Sequence, residues 1–107
     1  MKNVLILTNN MNGGGAERVL LTLLQYLPQN QYRVDLCLVY REGVLLGQLP
    51  NDINVTALFE ERNSKTDELI FGDTGALYQK AIKRKYDIEI AFLEGNAVKI
   101  MSKSTNL

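Results

Sequence analysis

The spacing of apolar and polar residues changes several times along this 107-residue chain, and each change predicts an element. Val4-Leu5-Ile6-Leu7 is an unbroken apolar run, the pattern of a strand covered on both faces. A polar loop containing Gly13, Gly14 and Gly15 follows. Ala16, Val19, Leu20, Leu23, Leu24 and Leu27 then recur at three- and four-residue intervals, which predicts an amphipathic helix from about Ala16 with a stripe able to lie on a sheet. Pro28-Gln29-Asn30 ends it.

Tyr32 to Tyr40 alternates, with Val34, Leu36, Leu38 and Tyr40 on one face and Arg33, Asp35, Cys37 and Val39 on the other. This predicts a second strand, less buried than the first. Arg41-Glu42-Gly43 turns the chain, and Val44 to Leu49 makes a short apolar turn or helix before Pro50-Asn51-Asp52. Ile53 to Phe59 is a third strand, and Glu60 to Asp67 a polar loop. A second helix is expected from about Thr74 to Lys85, with Leu77, Ala81 and Ile82 on one face. Asp87 to Leu93 is a fourth strand, and Ala97 to Met101 begins another helix.

A hydrophobic content of 46% supports one domain with a modest core and leaves no room for a second. Twelve basic residues balance twelve acidic ones, so overall charge points neither to nucleic acid nor to an anionic membrane surface. The lone cysteine, Cys37, lies in a strand and reads as a core or half-buried thiol, in keeping with a reducing cytoplasm. With no histidine in the chain to activate it, it makes a poor nucleophile. The start of the chain lacks the features of a signal peptide, and no apolar run reaches the roughly 20 residues needed to span a bilayer. A soluble, cytoplasmic protein is expected.

Candidate chemistry starts at the glycine loop. A helix beginning beside it would aim unpaired amides and the positive end of its dipole into the loop, where a phosphate could bind. The run departs from the dinucleotide fingerprint, because Arg18 stands where the third glycine belongs, and no Gly-Lys-Ser/Thr follows to make a P-loop. On spacing alone a phosphate site and a plain strand-to-helix turn both stay open. The basic residues Lys80, Lys83, Arg84 and Lys85 could touch lipid phosphates or form a solvated face. Glu94-Gly95-Asn96 leaves the fourth strand at the same sheet edge as the glycine loop. Its carboxylate could accept hydrogen bonds from sugar hydroxyls or complement a helix start.

Lys2-Asn3-Val4-Leu5-Ile6-Leu7-Thr8, the run Gly13-Gly14-Gly15-Ala16-Glu17-Arg18-Val19-Leu20, and Ile90-Ala91-Phe92-Leu93-Glu94-Gly95 resemble the start of a retaining glycosyltransferase of the GT-B fold, in the family 4 group. The resemblance implies a Rossmann-like, acceptor-side domain facing a second domain that holds most of a nucleotide-sugar. It places the loop residues Gly13, Gly14, Gly15, Glu17 and Arg18 near the donor diphosphate, and Glu94 and Gly95 at the acceptor side or cleft edge. Backbone N–H groups at Gly14 and Gly15 would stabilise the diphosphate electrostatically. No metal or other cofactor is expected beyond the nucleotide-sugar donor, and the acceptor would be a sugar or a lipid-linked sugar, with work at the inner face of the membrane.

Family members also carry a cleft histidine and a pair of glutamates seven residues apart in the second domain. This chain has no histidine and reads as the first half to two-thirds of the acceptor-side domain, expected to be inactive in sugar transfer alone. The fold expected is a three-layer α/β domain with parallel strands in the order 3-2-1-4, an incomplete GT-B N-terminal domain. Two other classes stay open: a nucleotide-binding module with Glu42 as a ribose ligand, and an interaction domain pairing through the exposed fourth strand, including with a second copy.

Overall fold

The computed structural model describes residues 1–60, 63, 65–66, 74–92 and 100–103. Strand β1 (Lys2–Thr8) leads through a loop to helix α1 (Gly15–Tyr26), then to β2 (Tyr32–Tyr40). A single 3-10 turn (Leu46–Gln48) precedes β3 (Asn54–Phe59), and helix α2 (Thr74–Ala81) precedes β4 (Ile88–Ala91). The four strands form one all-parallel sheet in the order β3-β2-β1-β4. Parallel neighbours need crossovers, and α1 and α2 belong to two of them.

Strand alternation divides the core into two clusters, one on each face of the sheet. Val4, Ile6, Leu36 and Leu38 pack with Leu20, Leu21 and Leu24 of α1 and with Leu45 and Ile53 of the β2–β3 connection. On the opposite face Leu5, Leu7, Cys37 and Val39 pack with Leu77, Tyr78 and Ala81 of α2, with Tyr86 and with Ile100. Layers on both faces explain the continuous apolar runs of the central strands.

Four expectations need correction. β2 is not less buried than β1: every residue from Val34 to Tyr40 is buried, because the strand sits between β1 and β3 under both layers. The buried face of α1 is Leu20, Leu21 and Leu24, whereas Val19 and Leu23 are 62% and 42% exposed. Apolar residues occupy three sides of this helix, so its periodicity admits more than one stripe, and the sheet selects the one lying nearer Leu21. Helix α2 stops at Ala81, leaving Lys83, Arg84 and Lys85 in the connection to β4. β4 is also shorter than expected, and Ile88 and Ile90 are each 38% exposed on its α1-facing side.

Two of the four clustered cations are held within the fold. Lys80 donates to the Leu58 carbonyl at 2.8 Å and lies 5.6 Å from the centre of the Phe59 ring. Arg84 reaches the amino end of the sheet, where its Nε donates to Asp35 Oδ2 at 2.7 Å. The Tyr86 hydroxyl donates to the same oxygen at 2.6 Å, and Asn54 Nδ2 donates to Asp35 Oδ1 at 3.3 Å. Burial pushes the Asp35 carboxyl up, but the bonds from Tyr86, Arg84 and Asn54 and the charge of Arg84 outweigh it and hold the group below its ordinary value. Burial, then the bond to Asp35, pushes the Tyr86 phenol up to about 12. No helix among the described residues is long and apolar enough to cross a membrane.

Candidate functional site

The loop from Asn9 to Gly14 leaves the carboxyl end of β1, the strand between β2 and β4. The first two crossovers build the sheet outward on one side of β1, and β4 lies on the other, so the loop occupies the point where strand order reverses. Open α/β sheets bind ligands at this edge.

Backbone bonds join this loop to the one after β2. Met11 N donates to the Glu42 carbonyl at 2.9 Å, Leu45 N donates to the Met11 carbonyl at 3.1 Å, and Tyr40 N donates to the Asn9 carbonyl at 2.9 Å. The close approach depends on Gly43, which has φ +133°, and any Cβ there would collide with the Met11 carbonyl and crowd the Asn12 amide. Among the described residues it is the one glycine with a positive φ. The sequence marks Gly43 only as a turn, whereas the fold needs it to hold the preceding glycine loop in place.

Gly14 is the N-cap of α1 and brings no side-chain acceptor to the helix start. The first amides of a helix have no intrahelical partner, so this end is receptive to an anion. The nearest anion belongs to the protein. Glu17 stands three residues into the helix, and its carboxylate turns back over Gly14, where an added Cβ would strike it. Arg18 turns back as well, its Nε donating to the Gly13 carbonyl at 3.2 Å. Arg18 therefore braces the loop, and a phosphate bound at this helix end would meet the Glu17 carboxylate.

Gly13, Gly14, Gly15, Glu17 and Arg18 thus form one structural unit. Gly15 has open space around it, and a Cβ at Gly13 would meet Val44 and Arg18 at ordinary distances of 3.4 and 3.5 Å. Glu94 and Gly95 lie outside the described residues, as does most of the helix expected from Ala97. The preceding Phe92 is tied to the end of β1, its amide donating to the Leu7 carbonyl at 2.8 Å and its carbonyl accepting from Thr8 Oγ1 at 3.4 Å. Glu42 is half-buried beside the glycine loop, with Asn10 Nδ2 at 3.5 Å from its Oε1. Cys37 is buried in the sheet, and burial pushes its thiol up, away from a reactive thiolate. Among the described residues no three His, Cys, Asp or Glu side chains are grouped to hold a metal ion.

No protein-family model matches the chain, and no curated protein is significantly similar to it.

Proposed function

We propose that this chain is the acceptor-side, Rossmann-like part of a GT-B, family 4-like retaining glycosyltransferase, acting on a nucleotide-sugar and a sugar or lipid-linked acceptor at the cytoplasmic face of a membrane. The observation that carries this reading is the position of Gly13-Gly14-Gly15-Ala16-Glu17-Arg18: at the carboxyl end of β1, opening a helix whose N-cap has no side-chain acceptor. A diphosphate seated there would receive N–H groups at Gly14 and Gly15 and the positive end of α1. Those dipoles would favour the charge that grows on the leaving diphosphate as the sugar–phosphate bond breaks. Glu17 would swing away to admit it, and Arg18 would keep the loop in shape. Sugar transfer itself requires groups that this chain does not supply.

Titration calorimetry with UDP and with inorganic pyrophosphate tests the site. Gly14→Ala adds a methyl that meets only the mobile end of Glu17, so the fold should survive while access to the amides is reduced. Binding weakened by Gly14→Ala supports the reading, and no binding of either ligand at millimolar concentration would refute it. A second reading, a nucleotide-binding module, is favoured by the placement of Glu42 beside the loop, where its carboxylate could accept hydrogen bonds from ribose. NAD binding that exceeds UDP binding and is lost in Glu42→Ala would select it.

A further inference from the structure

Among the described residues, an uncovered apolar surface runs along α1 and onto β4. Val19, Leu23 and Tyr26 form an exposed ridge along α1, with Tyr26 81% exposed. Beside it runs a groove of about 230 Å³, floored by Val4, Ile6, Ile88 and Ile90 and walled by Leu23 and Leu27. Leu23 also lines a hollow with Arg18, Val19 and Thr22, so ridge and groove are continuous. One helix on a sheet covers about two strands, given 10 Å helix spacing and a strand spacing of about 4.8 Å. α1 packs on β1 and β2, and no described element covers β4 on this side.

From this geometry we infer that the face is an isologous interface between two copies of this chain. A two-fold interface requires a surface complementary to itself, and a ridge lying beside a groove meets that requirement. Turned about a two-fold axis, the α1 ridge of each copy fits over the β1–β4 floor of the other. The helices then lie side by side and parallel in one layer between two sheets, with the axis running between them and Leu23 of each copy facing its counterpart.

The dimensions agree. The seven steps of ridge from Val19 to Tyr26 span about 10 Å, and the four residues of β4 give a floor about 13 Å long. The exposed apolar side chains amount to on the order of 500 Å², the upper part of the range that a lone soluble protein leaves open. A standard interface of about 800 Å² per partner with a 65% apolar core needs a similar apolar area. The floor and walls of the groove carry no charge, and the cation nearest the ridge, Arg18, is exposed and donates to the Gly13 carbonyl. This contact lies on the face of the sheet and leaves the hydrogen-bonding edge of β4 unused.

Sedimentation equilibrium of the purified chain tests the inference. A monomer–dimer equilibrium with a Kd on the order of 10 µM is expected. Leu23→Asp and Tyr26→Asp, both at exposed positions, should weaken it by at least about tenfold. Val44→Asp, at a position 78% exposed but off this face, should leave it unchanged. Leu23→Cys should give an oxidised, covalently linked dimer, since the native Cys37 is buried. A monomer at all concentrations would overturn the proposal, even one that captures an amphipathic peptide or lipid vesicles. A dimer indifferent to Leu23→Asp and Tyr26→Asp would overturn it too, as pairing through the β4 edge would produce.

Discussion

Gly43→Ala is the substitution that most directly tests how the candidate site is held. At φ +133° an alanine occupies backbone space that side chains rarely enter, which costs about 1–3 kcal/mol. Its Cβ would also strike the Met11 carbonyl, so the two loops must separate. Separation strains the bond from Met11 N to the Glu42 carbonyl and the one from Leu45 N to the Met11 carbonyl, each worth about 1 kcal/mol. Together these effects predict a loss of about 3–5 kcal/mol, a large share of the 5–15 kcal/mol that holds a typical domain. With a urea slope of 1–3 kcal/mol per molar, the unfolding midpoint should fall by about 2 M. Gly47→Ala is the control, because Gly47 has open space where a Cβ would stand. It should change stability by about 0.5 kcal/mol or less, or raise it slightly. A loss below about 1 kcal/mol for Gly43→Ala, or an equal loss for Gly47→Ala, would show that the loop junction does not depend on this glycine.

Asp35→Asn should cost about 1–3 kcal/mol at neutral pH by weakening the bonds from Arg84 and Tyr86. Because the folded protein holds the Asp35 carboxyl below its unfolded value, this contribution is complete above about pH 4 and lost as pH falls through the folded value. Acid-denaturation curves of wild type and Asp35→Asn should therefore converge at low pH, and parallel curves would count against the network. Tyr86 has the opposite sense: its raised value makes its contribution complete below about pH 10 and lost as pH approaches about 12. Alkaline unfolding followed by tyrosinate absorbance should be shallower in Tyr86→Phe, and an unaltered profile would dismiss the effect. Glu17→Gln removes the carboxylate lying over Gly14 and should tighten pyrophosphate binding several-fold; unchanged or weaker binding would mean that Glu17 does not occupy the anion position.

Much of the architecture was legible because a central parallel strand under two layers is a continuous apolar run, as at Val4–Leu7, whereas Arg33 and Asp35 made β2 read as an alternating strand and hid its full burial. Strand order 3-2-1-4 and the placement of the glycine loop after β1 agree with the sequence reading. The rotation of α1 was not legible. Apolar residues cover every side of the helix except the one carrying Arg18, Thr22 and Gln25, so only packing on the sheet decides which of Val19, Leu21, Leu23, Leu24 and Tyr26 are buried. Alternation correctly separated Asp35 from Val34 and Leu36, but nothing local signalled that its partners lie 49 and 51 residues away at Arg84 and Tyr86. The importance of Gly43 was hidden for a related reason: the atoms it must avoid belong to Met11 and Asn12, a strand and a helix earlier.

The order of strands also sets a schedule for synthesis. Strand β1 is made first, yet its two neighbours arrive at very different times: β2 begins at residue 32 and β4 at residue 88. The Asn3 amide that Asp87 accepts from waits for a partner 84 residues away. At translation speeds of 5–20 residues per second, one side of β1 stays open for roughly 4–17 s after it leaves the ribosome. During that interval β1, α1 and β2 can assemble as a parallel pair under one helix, but the sheet is not closed on its β4 side. A nascent chain stalled before β4 has emerged should therefore expose an apolar strand edge, and that is the stage at which a chaperone would find it.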